Sequence, residues 1–70
     1  MLSRSEMRSF ITAINNAWDV PFEKRQRWIA DVRETFETAS NDRVKSTCRQ
    51  TVAAMERAGW LAESTEAKSA

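Results

Sequence analysis

The sequence predicts a small all-α domain of three helices with a frayed C-terminal tail. Three observations carry that reading. One Gly and one Pro in 70 residues leave little turn chemistry for a β-sheet. The apolar residues recur at helical spacing and not in alternation. The stretch 41–61, NDRVKSTCRQTVAAMERAGWL, contains a start signal, an inner stripe and a stop signal for one helix. The chain then divides into a three-helix domain over 1–61 and a flexible tail over 62–70, where small and polar residues follow one another without periodicity.

Ser3-Arg4-Ser5-Glu6 has the spacing of a capping box, in which a serine hydroxyl and a glutamate carboxylate each satisfy an amide of the first turn. Met7, Phe10, Ile11, Ile14 and Trp18 then fall on one face, with Ala13 and Ala17 beside them, which predicts a first helix over 5–18. Asp19-Val20-Pro21 breaks it. Proline is tolerated in a first turn and disfavours helix at the preceding residue, so Pro21 opens a second helix over 21–39. Its expected inner stripe is Phe22, Ile29, Val32 and Phe36. Its other face carries Glu23, Arg27 and Asp31 at steps of four, pairs worth a few tenths of a kcal/mol on a solvated surface.

The link from Ser40 to Asp42 is short, so the second and third helices should pack as antiparallel or crossed neighbours. Asn41 is suited to cap the third helix, and Asp42 puts negative charge where the helix dipole favours it. Val44, Cys48, Val52 and Met55 form the expected inner stripe. Gly59 is placed to close the helix in the left-handed conformation, with Trp60 folding back on Met55. Trp18 and Trp60 are both expected in the core.

A 70-residue domain buries only about 60% of its unfolded surface, so it is marginal unless a partner adds to it. Eleven basic against ten acidic residues create no global field for nucleic acid or membrane, and any such contact needs a local patch. One cysteine and no histidine remove an intramolecular disulfide and the usual zinc and transition-metal sites, so neither metal nor cofactor is expected. With no apolar run of signal or transmembrane length, the expected location is the cytoplasm, away from membranes. The carboxylates sit at caps and on solvent faces, and Cys48 lies on an inner stripe where a thiol acts as a small hydrophobe. No catalytic residue emerges, and the expectation is a non-enzyme.

Binding is the remaining class. Opposite the inner stripe of the third helix stand Arg43, Ser46, Gln50, Ala53 and Arg57, with Lys45 and Arg49 on one flank. The segment 41–60 holds four basic and two acidic residues, a local +2, while 19–40 holds four and five, or −1. Arginine, serine and glutamine on one helix face suit phosphate and base-edge contacts, so Arg43, Lys45, Ser46, Arg49, Gln50 and Arg57 are candidate duplex-DNA contacts; the alternative is an ordinary solvated face. Trp28 lies about 100° from Ile29. It either closes the edge of the core or marks an interface with a protein partner or a second copy of the chain.

From 18 to 61 the order of features is Trp-Asp-Val-Pro, the charged run Glu23-Lys24-Arg25-Gln26-Arg27, a helix, the link Ser40-Asn41-Asp42-Arg43 and an alanine-containing helix. This order resembles small uncharacterised helical proteins of bacterial and phage genomes, some of them similar to small terminase subunits, the oligomeric DNA-recognition partners in phage genome packaging. The resemblance implies a DNA-associated, phage-related role and assigns no individual residue. Two expectations follow: a DNA-associated module using the outer face of the third helix, or a protein-interaction module working through Trp28 and neighbouring apolar surface.

Overall fold

The computed structural model describes residues 2–61. They form three helices, α1 (Arg4–Asn15), α2 (Phe22–Thr38) and α3 (Asp42–Arg57), with no strand among the described residues. The tail expected over 62–70 lies outside them. α3 is the hub, packing extensively against both α1 and α2.

The start signals work as their residues dictate. Glu6 N–H donates to Ser3 Oγ at 3.1 Å, and Ser3 N–H donates back to Glu6 Oε1 at 2.9 Å, completing the capping box. That backbone donor holds the Glu6 carboxyl below the usual carboxylate range. At α3, Arg43 N–H donates to Asn41 Oδ1 at 2.7 Å. Pro21 stands as the residue flanking α2, and its carbonyl accepts the Arg25 N–H at 3.0 Å.

Gly59 has φ 81; its N–H reaches Glu56 O at 3.0 Å, and Trp60 N–H reaches Met55 O at 2.9 Å. These two bonds are the Schellman stop expected there. The end of α1 differs from expectation. Instead of running to Trp18 it ends at Asn15, in a second Schellman turn: Ala17 N–H to Ile14 O at 3.1 Å, Trp18 N–H to Ala13 O at 3.0 Å, and Ala17 at φ 55. The left-handed residue swings the chain away from the helix axis, so Trp18 leaves the inner face and is 62% exposed. Trp18 is therefore not a core residue. Val20, in the link that follows, is buried in its stead, and its carbonyl accepts Arg25 Nε at 2.7 Å.

The core joins Met7 and Ile14 of α1, Ile29 and Val32 of α2, and Cys48, Ala54 and Met55 of α3. Three threonines are buried with them: Thr35, Thr47 and Thr51. Each hydroxyl donates to the carbonyl one turn back, Thr35 to Asp31 at 2.8 Å, Thr47 to Arg43 at 2.9 Å and Thr51 to Thr47 at 2.7 Å. With its polar atom satisfied inside its own helix, such a side chain can be buried at little cost. Two of these oxygens also accept from the N-terminal segment, Leu2 N–H to Thr35 Oγ1 at 2.9 Å and Arg4 Nε to Thr47 Oγ1 at 3.3 Å.

The threonines turn the buried face of α3 away from the expected stripe. Cys48 and Met55 are central, but Val44 and Val52 are only half-buried at its edge. On α2 the buried line runs through Ile29, Val32 and Thr35, which leaves Phe22 51% and Phe36 36% exposed on its flank. Neither phenylalanine is the core residue its spacing suggested.

Candidate functional site

On the outer face of α3, Arg43, Ser46, Gln50 and Arg57 are all exposed. Their side chains make no hydrogen bond or ion pair with other groups among the described residues. Arg43 and Arg57 stand fourteen residues apart, about 21 Å along the axis at 1.5 Å per residue, so they would reach different phosphates. The two flank residues are set apart from this row. Lys45 is half-buried, and the Arg49 guanidinium lies 5.4 Å from the centre of the Phe36 ring, a cation–π contact with α2. Four of the six candidate DNA contacts thus form one line, and Arg49 belongs to a different surface.

That surface is an open groove between α2 and α3 with a volume of about 480 Å³. Its floor is apolar, with Val32 and Cys48 buried beneath Phe36, Val52 and Ala53. Its rim is charged with both signs: Arg33 and Glu37 from α2, Arg49 and Glu56 from α3. All four rim side chains are exposed, and none forms an ion pair among the described residues. Cys48 brings no reactivity to the floor. Its Sγ lies 3.5 Å from Met7 Sδ, and burial pushes the thiol up from its ordinary value, so it stays protonated and apolar.

Nothing in the chain's periodicity revealed this groove. Phe36 has the spacing of a core residue, and Glu37 is among the carboxylates expected on a solvent face; only the placement of α2 against α3 joins them to Val52 and Glu56.

Trp28, the expected interface residue, is half-buried. Its ring stacks on Phe10 with centroids 4.1 Å apart and planes 8° from parallel, and meets Trp60 at 5.8 Å in a tilted arrangement. Arg25 sits over Trp60 at 5.6 Å. Trp28 therefore closes the edge of the core where α1, α2 and the α3 stop meet, and the most exposed tryptophan is Trp18.

No group of three or more metal-ligating side chains is clustered among the described residues, and no helix there is long and apolar enough to cross a membrane. The chain matches no protein-family model, no curated protein and no solved structure.

Proposed function

We propose that this chain is a non-enzymatic, cytoplasmic protein-interaction module whose α2–α3 groove docks the apolar side of a protein partner. The observation that supports this reading is the pairing of an apolar floor with four charged rim groups that find no ion-pair partner among the described residues. Protein interfaces combine these same parts, a desolvated centre and a polar rim. A rim of both signs suits a protein better than a polyanion. The test is affinity capture from a native lysate, with untagged copies of the chain included, comparing the unmodified protein with Ala53→Arg. Ala53 is half-buried at the groove, and the longer side chain places bulk and charge at its mouth without emptying the core. Proteins captured by the unmodified chain should be lost with the variant, while circular dichroism stays the same. An unchanged captured set would remove the groove from consideration.

A second reading has its own observation, the exposed row Arg43, Ser46, Gln50 and Arg57. In it the outer face of α3 contacts duplex DNA, the partner that the resemblance to small terminase subunits implies. Replacing Arg43 and Arg57 by glutamate should then abolish duplex binding with the helices intact, and the affinity of the unmodified protein should fall steeply with salt, at about −0.9 in log–log slope per neutralised phosphate. Absence of binding at low salt and high micromolar protein would exclude this reading.

A further inference from the structure

We propose that the occupant of the α2–α3 groove is a second copy of this chain, related by a two-fold axis, so that α2 and α3 of both copies form a four-helix core. This rests on the reading of the groove as a docking site and names its partner.

The charge order of the rim carries the inference. Along α2 the rim reads Arg33 then Glu37, and along α3 it reads Arg49 then Glu56, positive before negative on each helix. A two-fold axis that runs each helix antiparallel to its own copy reverses that order. Arg33 then meets Glu37 of the other copy, and Arg49 meets Glu56, four attractive pairings from one symmetry operation. A two-fold contact must be self-complementary in this way, because the same patch faces itself. A foreign partner places no such demand on the pattern. Among the described residues these four groups form no ion pair.

The apolar surface fits the same arrangement. Phe22 and Phe36 are exposed on α2, fourteen residues apart. At 100° and 1.5 Å per residue they stand within about 40° of each other and about 21 Å apart, two apolar points on one side of α2 with Gln26 and Arg33 between them, and Phe36 is the one that lines the groove. Antiparallel helices packed on one another are the ordinary construction of four-helix bundles. Small domains also commonly gain by oligomerisation what one modest core lacks.

Sedimentation equilibrium from micromolar to millimolar protein at low ionic strength tests the pairing. The unmodified chain should move from 8.0 kDa toward twice that mass as concentration rises. Glu37→Arg with Glu56→Arg makes the rim wholly positive, and Arg33→Glu with Arg49→Glu makes it wholly negative. Each variant alone should self-associate at least about tenfold more weakly, since like charges then face one another. Mixed in equal amounts, they should recover a 1:1 pair. A chain that stays at 8.0 kDa to millimolar concentration overturns self-pairing, and the lysate capture then decides whether the groove serves another protein. Variants that dimerise as well alone as the parent overturn it too, by placing the interface elsewhere. If a charge variant fails to fold, Ala53→Arg at the groove mouth takes its place: it should stay at 8.0 kDa where the parent dimerises, and a dimer as tight as the parent's overturns the proposal.

Discussion

Ala17 and Gly59 hold the same position in two copies of one turn: each is the left-handed residue that ends a helix, at φ 55 and φ 81, and each is followed by a tryptophan whose N–H closes the outer bond of the turn. Glycine takes this conformation freely. Alanine pays about 1–2 kcal/mol for it, because its Cβ crowds the following carbonyl.

The two sites should therefore respond in opposite directions. Ala17→Gly should stabilise by about 0.5–1 kcal/mol, relieved strain exceeding the added freedom of the unfolded chain. Gly59→Ala should destabilise by about 1 kcal/mol. A Cβ at Gly59 meets nothing within 4 Å, so that loss is backbone strain alone. Urea midpoints of the two variants check both signs, and a destabilised Ala17→Gly would show that the first turn is not left-handed.

The Glu6 carboxyl is held below its ordinary value of 4.5 by the Ser3 N–H that donates to it. A depressed folded-state value means this contact stabilises the fold above pH 4.5, and the contribution fades as pH falls through 4.5 and below. Glu6→Gln should lower the melting temperature at pH 7. The gap between parent and variant should narrow at pH 3, and a gap that stays constant between the two pH values would remove the charge of Glu6 from the cap.

Trp28→Ala removes the ring that links Phe10 to Trp60, and so loosens α1, α2 and the α3 stop together. For a half-buried tryptophan the expected loss is about 2–4 kcal/mol, a large share of the stability of a small domain. Trp28→Phe should recover part of it. Full stability in Trp28→Ala would place the ring outside the core.

Cys48 should resist alkylation. With the side chain fully buried and its thiol held protonated, labelling by iodoacetamide at pH 8 should proceed only as fast as the domain opens, and denaturant should accelerate it by orders of magnitude. Rapid labelling of the native chain would show that the groove floor opens readily.

What was legible in the sequence was local. The Ser3–Glu6 box, the Asn41 cap and the Gly59 stop each depend on a few neighbouring residues, and all three formed as their chemistry requires. The three-helix architecture followed from them, and helical periodicity gave the exposed positions Arg43, Ser46, Gln50 and Arg57 of α3, though it also put Ala53 on that face, and Ala53 is half-buried at the groove. The early end of α1 was hidden because alanine carries no signal for a left-handed turn. The burial of Thr35, Thr47 and Thr51 was hidden because polarity alone places threonine outside, whereas a hydroxyl bonded one turn back removes that objection. Phe22 and Phe36 were misplaced for the converse reason: a spacing that selects apolar residues cannot say which of them the neighbouring helix reaches.

The position of α3 as the hub has a consequence for how the molecule opens. Detaching either outer helix strips one side of α3 and leaves two helices with half a core, too little to persist alone. Partial opening is therefore confined to the ends, and the middle of α3 is released only when everything else is. In native-state hydrogen exchange the amides of Thr51, Ala54 and Met55, all buried, should exchange with the free energy of global unfolding, and those of α1's first turn far sooner.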